Sequence, residues 1–266
     1  MSFIKSLQKK SKFLGLICTS LALTAPAAAA PVNANARYVV SLGGVNIATV
    51  KINLKDDGNN YDINLGANIS GVGTLVASGS ASASTSGKSH GASLKPKNMN
   101  ISTRAKNTDF SVNVQYTSGN ASGFQVDPPL INTIERIAIQ RKHLKGVTDP
   151  IASFILKGKN LDANLCNQNL KIFTGLERFN IKMKYAKSDV ATSTRTAYQG
   201  PVILCTMKYQ AVSGHYTSSG MTKYLTNSKR MLIWYAPLKK SNLYIPYRLI
   251  IGTSAGDLSM VLTSLK

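Results

Sequence analysis

Ala48-Thr49-Val50-Lys51-Ile52-Asn53-Leu54-Lys55, followed after the turn residues Asp57-Gly58-Asn59 by Tyr61-Asp62-Ile63-Asn64-Leu65-Gly66-Ala67-Asn68-Ile69, alternates apolar and polar residues almost without a break. Side chains on a strand point to opposite faces in turn, so this period of two describes strands with one buried and one wetted face. Asp-Gly-Asn between two such runs is hairpin chemistry. Upstream, Tyr38, Val40 and Leu42 share a face before Gly43-Gly44. Downstream, Phe110, Val112, Val114 and Tyr116 repeat the pattern up to Ser118-Gly119-Asn120. In the second half, Phe179, Ile181, Met183 and Tyr185 alternate with Arg178, Asn180, Lys182 and Lys184. Val202 to Tyr209, Met231 to Ala236, Tyr247 to Ile251 and Leu258 to Leu262 read as further strands. The expectation is an all-β chain with more than ten strands and at most two short helices.

Three stretches resist the pattern. Gly66 to Ser93 is so rich in Gly, Ala and Ser that it resembles a linker. We expect thin strands there, continued weakly by Val72, Leu75 and Val76, with a mobile loop near Ser80 to Gly91. Ile131, Ile134, Ile137 and Ala138 fit a helix by spacing and a strand by composition. Asp149-Pro150 predicts a short helix over Ile151 to Leu156, with Asp as N-cap and Pro at the first helical position. It is also where the chain could divide into sub-lobes 37–148 and 149–266.

The first residues carry an address. Lys5, Lys9, Lys10 and Lys12 precede an apolar stretch from Phe13 to Ala25 and then Ala27-Ala28-Ala29-Ala30. Basic residues, a short apolar core and small residues form an export signal, and the core is shorter than the ~20 residues of a membrane-spanning helix. Residues 1–29 are therefore expected to be removed, leaving 30–266 as one β-rich periplasmic domain, not membrane-spanning. Cys166 and Cys205 are then the cysteines left beyond the signal, and an oxidising compartment would let them pair.

The formal charge of +21 falls to +17 once the four signal lysines are gone. Such an excess inside the cell would point to nucleic acid; export removes that partner and leaves lipid headgroups, lipopolysaccharide phosphates and peptidoglycan. The face of Arg178, Lys182 and Lys184 is the first candidate for contacting an anion or partner, with Arg136, Arg141 and Lys142 next. The competing reading of that face is a solvated sheet surface.

Groups that carry chemistry are scarce. Histidines stand at 90, 143 and 215, with no His-x-x-x-His or Cys-x-x-Cys spacing, so no metal or cofactor is expected. Gly-x-Ser-x-Gly is missing, and acidic residues number eleven. No catalytic residue can be named, and an enzyme is not expected.

Asp149-Pro150, Cys166, Ile172-Phe173-Thr174-Gly175 with Glu177-Arg178-Phe179, Tyr198-x-Gly200, Cys205, Ser213-Gly214-His215, Ile233-Trp234-Tyr235, Pro246-Tyr247-Arg248 and Thr253-Ser254-Ala255-Gly256 occur in that order. Together with Tyr38-x-x-x-Leu42-Gly43-Gly44-x-x-Ile47-Ala48, this resembles the exported bacterial family called domain of unknown function 3108, over roughly residues 37 to 264. The resemblance implies a periplasmic protein with a long, curled antiparallel sheet forming an open or spiral β-barrel. Position 174 departs from the family pattern, where an Asp is usual before the Gly.

Four functions follow as expectations. The first is a non-enzymatic periplasmic protein that supports the cell envelope by binding a partner protein or an anionic envelope component. The second is a carrier of lipid or lipoprotein acyl chains in a barrel cavity, to which an interior filled with side chains would be fatal. An outer-membrane barrel fits poorly, because several strands are short and no aromatic girdle is visible. An enzyme comes last.

Overall fold

The structure, a computed structural model, describes residues 31–70, 79–89, 91–105, 108–131 and 133–266. The expected export signal, His90 and the run containing Val72, Leu75 and Val76 lie outside the described residues. Seven strands follow one another in the first half: β1 (Val32–Leu42), β2 (Val45–Asp56), β3 (Asn60–Ile69), β4 (Gly79–Lys88), β5 (Lys95–Ala105), β6 (Thr108–Thr117) and β7 (Asn120–Asp127). The second half adds β8 (Leu156–Lys157), β9 (Asn169–Phe173), β10 (Arg178–Ala191), β11 (Gly200–Ser213), β12 (Met231–Pro237), β13 (Leu243–Thr253) and β14 (Gly256–Leu265). Among the described residues, two short α-helices, α1 (Ala163–Cys166) and α2 (Gly220–Asn227), interrupt the strands.

All fourteen strands form one antiparallel sheet in the order β7-β6-β5-β4-β3-β2-β1-β14-β13-β12-β11-β10-β9, with β8 alongside β13. Apart from β8, which pairs with β13, chain neighbours within each half are sheet neighbours, and the halves join where β14 pairs with β1 from Ala36↔Leu265 to Leu42↔Leu258. The stretches on either side of residue 148 are parts of this one sheet.

The two ends of the sheet meet by overlap instead of by a continuous ladder. Phe173, on β9, packs edge-on against Phe124 of β7 at 5.2 Å, and its carbonyl accepts a 2.7 Å hydrogen bond from Tyr116 Oη of β6. Gly175, in the left-handed region at φ +86°, lies against Val112 and Val114 so closely that a Cβ would collide with them. Between the ends runs the segment 146–149. Val147 N donates to Gly119 O, Thr148 N to Lys171 O, and Phe173 N returns to Thr148 O. The curled, spiral barrel expected from the family resemblance is therefore present, with residues 146–149 as its seam.

Buried side chains fill the barrel. Tyr38, Ile63, Leu262, Ala236, Leu243 and Ile245 join β1, β3, β14, β12 and β13 across the interior. A second cluster around Tyr235, Ile203, Ile233 and Met183 surrounds the disulfide, and a third around Met99, Val114 and Phe173 lies under the seam.

Two local expectations are corrected. Gly79–Lys88 is a full strand, paired on both sides from Asn60↔Lys88 to Gly79↔Ala105, not a mobile loop. Its serines at 80, 82, 84 and 86 alternate with Ala81, Ala83, Thr85 and Gly87, and at Gly87 the backbone of Lys95 and Pro96 approaches too closely for a Cβ. After Asp149-Pro150 comes a three-residue 3-10 turn, Ala152–Phe154, in place of an α-helix. Ile151, not Asp149, is its N-cap residue, although Asp149 Oδ1 still accepts from Ile151 N (2.7 Å) and Ala152 N (2.8 Å). In the ambiguous stretch, residues 131 and 133–138 form neither helix nor strand and are bridged to Tyr216 at Arg136.

Candidate functional site

Alternation on a strand explains the feature that organises the candidate site. In Lys95-Pro96-Lys97 the two lysines point the same way, while Pro96 turns inward. Register then sets Lys95 of β5 directly opposite Lys88 of β4. Like charges facing each other across a ladder are destabilising. Lys88 is held by a 2.8 Å hydrogen bond to Asn60 Oδ1, and neither lysine belongs to a salt bridge among the described residues.

These lysines stand on the lip of an open cleft of about 1050 Å³. Its walls come from the β4–β5 end, the β6–β7 turn, the seam, residues 152–157 and residues 168–171. Among the described residues, five lysines line it, Lys88, Lys95, Lys97, Lys157 and Lys171, and no Asp or Glu does. The floor is apolar, with Leu94, Val147, Ile155, Leu156 and Leu170. Two of its hydroxyls, Thr148 Oγ1 and Ser153 Oγ, are buried without a hydrogen-bond partner among the described residues. Lys157 is the tethered member. It donates to the carbonyl and hydroxyl of Ser89, whose Oγ donates in turn to the buried Asp56.

Beneath the cleft, Asp149 is fully buried, and Thr85 Oγ1 donates to its Oδ2 at 3.0 Å. Burial pushes this carboxyl above its usual range, although the N–H groups of Ala152 and Ile151 and the Thr85 hydroxyl pull the other way. Desolvation and the nearby Asp149 charge raise Tyr61 and Tyr116 far above an ordinary phenol. On the opposite wall, Cys166 at the end of α1 is disulfide-bonded to Cys205 of β11, with Cα atoms 5.4 Å apart. That bond fixes the start of the wall-forming segment 168–171.

The sequence-selected cations lie elsewhere. Lys182 and Lys184 are exposed on β10, and Arg141 and Lys142 are exposed in a 3-10 turn, Arg141–Leu144. Arg178 leaves the Lys182/Lys184 face: its residue is buried, with Nη1 donating to Phe179 O at 2.5 Å, and its charge helps depress His143, whose chief influence is desolvation. Arg136 is occupied as well. Its guanidinium donates to Gly214 O (2.6 Å) and Leu176 O (2.7 Å) and sits over the Tyr216 ring. None of these six lines the cleft. The spacing Lys95-x-Lys97 was the legible signal for the site; the convergence with Lys88, Lys157 and Lys171 needs the fold. Thr174 meets the need for an Asp in its turn, accepting from Leu176 N at 3.2 Å and Glu177 N at 3.0 Å.

Among the described residues, no group of three His, Cys, Asp or Glu side chains could hold a metal, and no helix is long and apolar enough to cross a membrane.

A crystal structure of a β-barrel-like protein of domain of unknown function DUF1849 from Brucella abortus has the same fold, with a TM-score of 0.50 and 10% identity over 90% of this chain and 99% of that one. No curated protein matches the chain. The model of the family described as "Protein of unknown function (DUF3108)" matches residues 37–263, and the chain belongs to that family.

Proposed function

We propose that this is an exported, non-enzymatic protein of the cell envelope, and that it binds an anionic envelope component in the lysine cleft. The observation that carries this reading is the facing pair Lys88 and Lys95, on a cleft with five lysines and no carboxylate in its lining. A like-charge pair costs stability when nothing lies between the charges, and a bound anion would reverse the sign. An acidic partner protein is the competing occupant.

The acyl-carrier reading in its barrel-cavity form fails on the filled interior; a lipid ligand keeps only the apolar floor of the open cleft around Leu94, Ile155 and Leu170. The barrel interior is packed with Tyr38, Tyr235, Ile63 and Leu262, so an acyl chain would lie in the open cleft and not inside the barrel. Extraction of lipid from the purified protein, followed by mass spectrometry, tests that version.

The principal test is co-sedimentation with vesicles containing anionic phospholipid, and with lipopolysaccharide, at rising salt. Retention should be strong at low ionic strength, weaken as charges are screened, and fall in the triple variant Lys95→Gln, Lys97→Gln, Lys171→Gln. Wild-type protein that passes through both probes at low salt refutes the proposal.

A further inference from the structure

Further along the outward face of β1–β7 the register lines up amides. Asn35 faces Asn53, Asn53 faces Asn64, Asn64 faces Ser84, Ser84 faces Asn100, Asn100 faces Asn113, and Asn113 faces Gln125. One continuous row crosses seven strands with six carboxamides and one hydroxyl, following the curl of the sheet. Asn53 Nδ2 donates to Asn35 Oδ1 at 2.9 Å, and Asn113 Nδ2 to Asn100 Oδ1 at 2.6 Å, so these amides hold each other in orientation. Asparagine is depleted in strands, where β-branched and aromatic residues hold the pleated surface better. A protein that places it at the same height on five strands accepts a cost on each, and such departures concentrate at functional surfaces.

Beside the row lies a trough. The neighbouring line runs Lys51, Gly66, Ser82, Ser102, with almost no side chain above the backbone. It leaves a depression of about 610 Å³ walled by the amides, with Arg37, Lys51 and Lys266 at one end. A second depression of about 460 Å³ shares Gly66, Ser82 and Ser102 and continues toward Arg104, Asp109 and Asp127. The trough therefore runs across the strands, parallel to the amide row. Its position and chemistry differ from those of the lysine cleft.

We infer that this trough binds an extended glycan chain. A carboxamide carries two N–H donors and a carbonyl acceptor; Asn53, Asn64 and Asn113 each spend one donor on a neighbouring side chain, and the remaining donors and acceptors are what hydroxyl and acetamido groups require. Strand spacing sets successive polar groups of the row about 4.8 Å apart, amides at every position but Ser84, close to the rise of one sugar along an extended β-linked chain. A narrow floor of Gly and Ser admits a ribbon-like polymer and no bulky side chain. The inference is independent of the anion-binding proposal, because amide recognition does not depend on charge.

The test uses the full-length protein and β-linked N-acetylglucosamine oligomers from the disaccharide to the hexasaccharide, followed by calorimetry or NMR titration. Affinity should grow with chain length and persist at about 0.5 M salt, where charge-driven binding is screened. The variant Asn53→Thr, Asn64→Thr, Asn100→Thr should bind at least about tenfold more weakly through lost hydrogen bonds. Thr is the better strand residue, so the variant should unfold no earlier than wild type, and loss of binding cannot then be misfolding. The Lys95→Gln, Lys97→Gln, Lys171→Gln protein should bind the oligomers as wild type does, even if it loses anionic vesicles. No binding by wild type, binding abolished by salt, or binding unaltered by the Asn→Thr variant would each overturn the inference.

Discussion

Thr85 in β4 donates a 3.0 Å hydrogen bond to Asp149, sixty-four residues away, and both side chains are shut off from solvent. The contact ties the low-complexity strand to the turn that follows the seam. A buried carboxyl with no cation beside it favours its neutral form, and its folded-state value is raised for that reason. The unfolded chain therefore gives up this proton first, near the ordinary 3.8, and stability falls as pH climbs from there through the folded-state value. Asp149→Asn keeps the shape and cannot ionise. Denaturation at about pH 4 and about pH 7 should show wild type losing more stability than the variant; equal slopes would refute the account. Asp149→Ala should cost about 2 kcal/mol by stranding the Ile151 and Ala152 N–H groups.

The Lys88–Lys95 pair predicts opposite effects on stability and binding. Lys95→Glu converts a repulsive cross-strand pair into an attractive one, so urea denaturation should show a gain of about 0.5 kcal/mol. The same change should weaken retention on anionic vesicles. A variant that is more stable and binds as before would separate the pair from the site.

Trp234 is the chain's one tryptophan, and its Nε1 donates to Asp189 Oδ2 at 3.1 Å while Arg248 lies over the ring. The indole hydrogen bond, followed by that from Val190 N, holds the Asp189 carboxyl below the usual 3.8. Asp189 therefore supports the fold above that range and loses its contribution as pH falls through its depressed value. Tryptophan emission should change with a midpoint below 3.8, and Asp189→Asn should abolish the transition.

Cys166 and Cys205, 39 positions apart, should contribute about 4 kcal/mol in the chain-entropy view. Thermal unfolding with and without reductant measures this directly. Because residues 168–171 start from Cys166, the reduced protein should also lose affinity for anionic vesicles before it unfolds.

The strands were legible where large apolar residues alternate, as in Ile52–Leu54 and Ile63–Leu65, because one buried face sets the period. Gly79–Lys88 was not, because its inward residues are Ala, Thr and Gly, and it is a strand through its neighbours' ladders more than its own burial. Arg178 shows a different limit. Alternation assigns it to the Lys182 face, whereas a register shift between Arg178 and Phe179 accompanies its burial beside His143. The cleft gathers lysines from residues 88 to 171, and no local period can announce a meeting of that kind. The amide row was present in the sequence as polar alternation; only register turns scattered asparagines into a line.

The partnership of β1 with β14 has a consequence for synthesis. Every other strand is made before the second mate of β1 exists, so the chain keeps one bare edge on β1 until the residues up to 265 are present. Closure is a late event made by residues more than two hundred positions apart, and a product stopped before Gly256 keeps that edge exposed for its whole lifetime.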